Sequence, residues 1–285
     1  MAQRNRSDAY RRASAAIQST KNLASRNKYR YALDTNVIYD LTNFSIPELR
    51  KRFEEQCSYG RTAAIRLLAE AIEGFSQGKT QDIITFEYAD QVVHEMMYKS
   101  EDINKNSDKY SESEKTMIKY ALNAHLRFGF VVNQLNKHQT DGCKFLYFLM
   151  LGLKEYYPQF TTPLFGEKEH ADTRVIAANA TLGMRTISSN FKDFIGENRV
   201  VQKGIAERFE ACNDYFKYKY DVEVKGLEPL TVLDFLQLHF PEKYQKFNDE
   251  MKKLLPDGAD PFKTYPPTST KYRPQVSQFV EVEKI

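Results

Sequence analysis

The chain has 285 residues, of which 41% are hydrophobic and 28% are charged, so it can bury a sizeable core as one large domain or two small ones. Its formal net charge is +3, and no apolar stretch approaches the roughly 20 residues that a membrane span needs. The three cysteines, Cys57, Cys143 and Cys212, lie far apart in the sequence, which argues against a disulfide framework and against a zinc site. We therefore expect a soluble, cytoplasmic protein with no membrane partner.

The beginning of the sequence is basic. Residues 1–30 contain eight Lys and Arg side chains against Asp8 alone, and the remaining chain is mildly acidic. This excess predicts a basic N-terminal arm over residues 1–28 that contacts nucleic-acid phosphates. Two alternatives stay open for the arm: a solvated leader, or a segment that docks against the body or against a second subunit of a homodimer.

The first predicted elements lie in residues 29–41, YRYALDTNVIYDL. Residues 31–33 form a short apolar run, typical of a central parallel strand, that ends at Asp34. Thr35 begins a predicted helix, because its side-chain oxygen suits a helix start and apolar residues follow at helical spacing: Val37, Ile38 and Leu41. Asp34 is then expected at the carboxyl end of a strand, the edge where ligands bind in open α/β sheets.

Helices and strands alternate through the rest of the sequence. The predicted elements are, in chain order, a helix from Pro47 to about Cys57, a helix over 62–75, a strand over 82–86, a helix over 87–100, a polar loop over 100–110, a helix from about 111 to 136, a helix over 143–157, a helix over 170–183 that ends at Gly183, and a strand over 184–189. Repeated strand-then-helix order predicts an α/β fold with a parallel sheet covered by helices.

Carboxylate and amide side chains lie close to the predicted strand ends. Asp34 ends the first strand, Glu95 lies in the helix after the second, Asp172 opens a later helix, and Asn190 and Asp193 follow the third strand. Clustered carboxylates repel one another unless a cation neutralises them, and hard oxygen ligands select Mg²⁺ or Mn²⁺. Each residue also has an ordinary alternative: Asp172 as a helix-dipole acid, Asn190 as a turn residue, and Glu95 as a surface charge.

Five segments resemble, in the same order, the PIN-domain nucleases, a family that includes the ribonuclease toxins of prokaryotic toxin–antitoxin pairs. The segments are YALDTNVI, VVHE, ADTRVIAANATLG, TISSNFKDF and VEVKGLEPLTVLDFLQLHF. The resemblance implies a PIN-like three-layer αβα domain with a mainly parallel sheet over residues 29–242. Residues 99–165 and 197–220 would be insertions, and residues 243–285 a Pro-containing C-terminal tail.

The resemblance also implies a catalytic centre and an activity. Asp34, Glu95 and Asp172 would hold Mg²⁺ or Mn²⁺, and Asn190 and Asp193 would complete the site, although SSN departs from the family's commoner Thr-x-Asp form. The implied enzyme is a metal-dependent endoribonuclease that hydrolyses RNA phosphodiester bonds. A protein inhibitor is a further candidate partner.

Several alternatives stay open at this stage. The same site would serve a DNA or structure-specific nuclease, and a non-catalytic PIN-like binding or scaffold module is the third reading. Thr35, Asn36 and Ser188 are expected either to orient the acids or a water, or to act as caps and turn formers. His94 is expected to pack or to support the site, because adjacent helical residues face different ways. Residues 215–220, YFKYKY, would line a nucleic-acid groove or form a half-buried strand.

Overall fold

The computed structural model describes residues 29–76, 84–135, 170–189 and 229–261, together with the isolated positions 140, 210, 214 and 218. For residues 75–76 and 170–174 it describes the backbone only. The basic arm, the helix predicted over 143–157, Asn190, Asp193 and most of residues 215–220 lie outside the described residues, so the predictions for them are untested.

The described strands form one parallel sheet in the order β3-β2-β1-β4-β5. They are β1 (Tyr29–Leu33), β2 (Ile84–Ala89), β3 (Val131–Asn133), β4 (Arg185–Ser188) and β5 (Leu230–Thr231). The described helices are α1 (Thr35–Ser45), α2 (Pro47–Gln56), α3 (Tyr59–Ser76), α4 (Asp90–Lys105), α5 (Glu112–Ala121), α6 (Ala124–Phe128), α7 (His170–Thr181), α8 (Val232–His239) and α9 (Pro241–Leu254). Within these ranges no helix is both long and apolar enough to cross a membrane.

The central position of β1 follows from its sequence. Residues 31–33 are buried, as expected for a strand covered on both faces, and β1 pairs with β2 on one side and with β4 on the other. The prediction of an α/β fold with a mainly parallel sheet is confirmed, and the arrangement is compatible with three αβα layers. The more specific PIN-like architecture stays a prediction.

Helix boundaries agree well with the local signals. α2 begins at Pro47 and α1 at Thr35, as predicted, and α3 covers the predicted helix with three extra residues at its start. α7 ends at Thr181, and Gly183, where the helix was predicted to end, follows it with a left-handed φ of +70°. The N–H of Gly183 donates to the Ala180 carbonyl at 3.0 Å, and the N–H of Met184 to the Asn179 carbonyl at 2.9 Å. This hydrogen-bond pair is a Schellman motif, which turns the chain sharply into β4.

Two boundaries around α4 were predicted wrongly. Residues 87–89 were assigned to a helix, but they extend β2, in which Glu87 is in register with Ala32 of β1. The polar residues 100–110 were assigned to a loop, yet α4 continues to Lys105 and a 3₁₀ turn follows over Ser107–Lys109. The helix continues because Ile103 is buried on the same apolar face of α4 as Val92 and Met96.

The predicted helix over residues 111–136 is also wrong beyond its first part. α5 begins where expected, with a capping box in which Ser111 and Glu114 each bind the other's backbone N–H. It ends at Ala121, and after the short α6 the chain passes through Gly129, whose φ of +69° ends the helix. Residues 131–133 then pair with β2 as β3.

The contacts divide the chain into two compact units, residues 1–39 with 72–231 and residues 40–71 with 232–285. The first unit contains the described strands. In the second, Arg66 of α3 binds Glu250 of α9 at 2.8 Å, and Lys243 donates to Glu70 at 3.0 Å. α9 thus covers residues 243–254, which were predicted as part of the C-terminal tail. The predicted domain over residues 29–242 stays a prediction.

Candidate metal centre

Asp34 lies at the carboxyl end of β1, next to β4. Its backbone N–H donates to the Ile187 carbonyl at 2.9 Å, which continues the β1–β4 pairing and brings Asp34 beside Ser188. The strand order reverses between these two strands, because β2 and β3 lie on one side of β1 whereas β4 and β5 lie on the other. In open α/β sheets, ligands bind outside the carboxyl ends of the strands at such a reversal.

Hydrogen bonds from Thr35 and Ser188 hold the carboxylate of Asp34, a residue that is only 2% exposed. Oδ1 accepts from the backbone N–H of Thr35 at 2.8 Å, and Oδ2 accepts from the hydroxyl of Ser188 at 2.7 Å. Ser188 and Thr35 were expected either to orient the acids or to act as caps, and both donate to Asp34. These bonds fix the direction of the carboxylate before any ligand arrives.

Thr35 also connects Asp34 to Glu95. The Thr35 hydroxyl donates to Glu95 Oε2, while its backbone N–H donates to Asp34. Glu95 comes from α4, which follows β2, the neighbour of β1 in the sheet. Two of the predicted acids, far apart in sequence, therefore meet through one residue.

The electrostatics of this pair are those of crowded negative charge. Burial raises the pKa of Glu95, the Thr35 hydrogen bond lowers it, and the charge of Asp34 raises it again, with a net upward shift. Burial also raises the pKa of Tyr39, and the charges of Glu95 and Asp34 add to that increase. A divalent cation relieves such repulsion, and carboxylate oxygens are the ligands that Mg²⁺ and Mn²⁺ prefer. The donor set fits these ions.

Hydrogen bonds between α7 and the sheet show that the first turn of α7 lies toward the carboxyl edge of the strands. The Asn179 amide donates to the Thr186 hydroxyl at 3.0 Å, and Arg30 Nη1 donates to the Leu182 carbonyl at 2.6 Å. Thr186 lies nearer the carboxyl edge than Arg30, so α7 runs antiparallel to the strands. Asp172 precedes Asn179 by two helical turns, about 10 Å toward that edge. Its side chain lies outside the described residues, and its contact with the other acids stays a prediction.

The described residues contain only part of the predicted site. Asp34 and Glu95 come together, whereas Asn190 and Asp193 lie outside the description. Consistent with this, no group of three His, Cys, Asp or Glu side chains within the described ranges is arranged to hold a metal ion. His94 was expected to pack or to support the site, but its side chain is exposed on α4, so the packing role is wrong.

Tyr39 is a site residue that the sequence reasoning missed. It lies four residues after Thr35 in α1, and residues at this spacing share one face of a helix. Burial is the main cause of the raised pKa of this half-buried phenol, and the charges of Glu95 and Asp34 raise the pKa further. The helical spacing from Thr35 was the signal that could have indicated it.

A second polar cluster, centred on Glu87, connects β1, β2 and β3. Arg30 binds Glu87 through two parallel hydrogen bonds, Nε to Oε1 at 2.7 Å and Nη2 to Oε2 at 2.6 Å. Thr85 donates to Glu87 at 2.9 Å and Asn133 also donates to it. Burial alone would raise the pKa of Glu87, but Arg30 and the two other donors outweigh it and lower the pKa. Arg30 was counted with the basic residues of the N-terminal stretch, but its guanidinium binds Glu87 within the sheet.

Comparison with protein-family models gives no match to this sequence, and no curated protein matches it. What points to a function is therefore the geometry of Asp34, Thr35 and Glu95, together with the resemblance of the five motifs.

Proposed function

We propose that the protein is a metal-dependent endoribonuclease of the PIN type, which hydrolyses RNA phosphodiester bonds. One observation carries the proposal: at the carboxyl end of β1, where the strand order reverses, Thr35 joins the buried Asp34 to the half-buried Glu95. Open α/β sheets bind ligands at this edge, and a pair of crowded carboxylates there suits a hard cation.

The site residues have two roles: carboxylates would bind the metal ion, and hydroxyl groups orient the carboxylates. Asp34 and Glu95 would hold Mg²⁺ or Mn²⁺, and Asp172, from the first turn of α7, would join them. A divalent ion held there supplies an activated water at neutral pH and offsets the negative charge that builds on the phosphate. Thr35 and Ser188 keep the carboxylates in place by hydrogen bonds, so little reorganisation is needed when substrate binds.

The choice of RNA follows from the family resemblance, and the chemistry of the acids alone suits either nucleic acid. The first experiment is therefore a comparison of labelled single-stranded RNA and DNA of the same sequence, each incubated with the purified protein in Mn²⁺ and in EDTA. We expect internal cleavage of the RNA that requires the metal. Cleavage of DNA alone would favour the DNA-nuclease alternative, and binding without hydrolysis of either would favour the scaffold alternative.

Matched variants test the assignment of the acids. Asp34→Asn and Glu95→Gln should each abolish cleavage, because each removes a ligand charge. Glu101→Gln is the control: Glu101 lies on the same helix as Glu95, but it is exposed and pairs only loosely with Lys105, at 3.7 Å. It should cleave like the wild type. Unchanged cleavage by Asp34→Asn at limiting metal would show that the site is assigned wrongly.

A further inference from the structure

Two exposed rings lie on α4 beside Glu95. Tyr98 is 73% exposed, and His94 is also exposed. Helical residues three or four apart are surface neighbours, with about 5–6 Å between their Cβ atoms. Tyr98 follows Glu95 by three residues and His94 by four, so it is a surface neighbour of both on α4.

These rings have the chemistry that recognises an unpaired base. Every nucleobase has a π face that stacks on an aromatic side chain without regard to sequence, whereas the bases of a duplex are already stacked on one another. Three apolar side chains of the same helix, Val92, Met96 and Ile103, are instead buried in the core. Tyr98 turns its ring to solvent one helical turn from an acid of the candidate metal centre.

We infer that Tyr98, with His94 beside it, is a stacking platform for an unpaired base of a single-stranded nucleic acid whose backbone passes Asp34 and Glu95. This inference rests on the proposed function and assigns Tyr98 as the residue that holds the base. It also explains why an exposed tyrosine stands next to a carboxylate pair: the base is held by the ring while the adjoining phosphate reaches the acids.

The same helix supplies a matched control. Met97 is 49% exposed on α4, but it lies two residues from Glu95, and residues at that spacing do not face each other. Met97→Ala therefore removes exposed apolar surface beside His94 and leaves the stacking ring of Tyr98 in place. Tyr98→Phe keeps the π face and loses only the hydroxyl, so it tests stacking separately from hydrogen bonding.

The test measures binding without hydrolysis. Fluorescence anisotropy would follow a short labelled oligoadenylate in EDTA, as RNA and as DNA, each alone and annealed to its complement. We expect the wild type to prefer the single strands. Tyr98→Ala should weaken single-strand binding roughly 5- to 150-fold, the range that the loss of one stacked base predicts. Tyr98→Phe and Met97→Ala should bind like the wild type.

Several results would overturn the platform: an unchanged affinity in Tyr98→Ala, an equal loss in Met97→Ala, or no preference for single strands in the wild type. A 2-aminopurine placed in the oligonucleotide gives a second readout, because stacking on Tyr98 should quench its fluorescence in the wild type and not in Tyr98→Ala. Melting temperatures would show that each variant is folded.

The two proposals fail in different ways. If Tyr98→Ala loses single-strand binding but the wild type never cleaves in Mn²⁺, the platform stands and the nuclease function falls. If the wild type cleaves RNA and Tyr98→Ala binds it equally well, the nuclease function stands and the platform is wrong.

Discussion

Replacing Arg30 with methionine would remove the cation from the ion pair inside the sheet. Glu87, only 4% exposed, would then keep its charge without the guanidinium that binds both of its oxygens. Breaking a buried pair from one side costs about 3–5 kcal/mol, because the remaining charge is uncompensated. Thr85 and Asn133 still donate to Glu87 in the variant, so we expect the lower end of that range, about 3 kcal/mol.

Urea unfolding of the wild type and the variants at neutral pH measures this cost. The double variant Arg30→Met/Glu87→Gln should be more stable than Arg30→Met alone, because the unpaired buried charge is gone. Lys105→Met is the matched control, since it removes a lysine from the exposed pair with Glu101, whose side chains are 74% and 58% exposed. It should cost less than about 1 kcal/mol.

Two results would contradict a strong buried pair: Arg30→Met costing no more than Lys105→Met, or a double variant no more stable than Arg30→Met alone. Either result would mean that burial does not set the strength of the pair. The outcome also bears on the candidate site, because Arg30 holds the carbonyl of Leu182 just beyond α7. Loss of that bond would loosen the helix that carries Asp172.

The central strand and the position of Asp34 could be predicted because their signals are local. An apolar run buried on both faces is visible in residues 31–33, and the polar Thr35 after Asp34 marks the helix start. The end of α7 was equally readable, since Gly183 can adopt the left-handed conformation at no steric cost.

The extension of β2 could not be predicted because its cause is distant in sequence. Glu87 is a poor residue for a buried strand, so the sequence pattern ended the strand before it. Arg30, 57 residues earlier, neutralises the carboxylate and makes the longer strand stable. β3 has the same difficulty: three residues form a strand only because β2 lies beside them.

The acids of the candidate site could be predicted from the sequence, but the hydrogen-bond partners of its hydroxyl groups could not. The acids could be named from their places after strands, but the partner of a hydroxyl depends on which helix packs beside it. Thr35 therefore looked equally suited to capping and to orienting an acid until α4 brought Glu95 within reach. Tertiary packing, more than local preference, decides the roles of such small polar side chains.

Three further perturbations follow from the structure. Gly60→Ala would place a Cβ 2.6 Å from the backbone oxygen of Pro261 and should lower the free energy of unfolding in urea by about 1–3 kcal/mol, whereas Gly74→Ala, in open space on the same helix, should raise it by about 0.5–1 kcal/mol. Equal effects of the two changes would contradict the close contact. Because the pKa of Glu87 is lowered on folding, its stabilising contribution is present above the ordinary glutamate pKa of about 4.3 and is lost as the pH falls through the lower pKa of the folded protein. The stability difference between wild type and Glu87→Gln should therefore shrink on acidification, and a constant difference across that window would argue against the pair. Asp34→Asn should fold with nearly unchanged stability in EDTA, because the amide oxygen still accepts from the Thr35 N–H and the Ser188 hydroxyl can turn to accept from the new amide group. Mn²⁺ should raise the melting temperature of the wild type and not that of Asp34→Asn, since only a protein that binds the ion gains stability from it. The same rise in both proteins would remove Asp34 from the set of metal ligands.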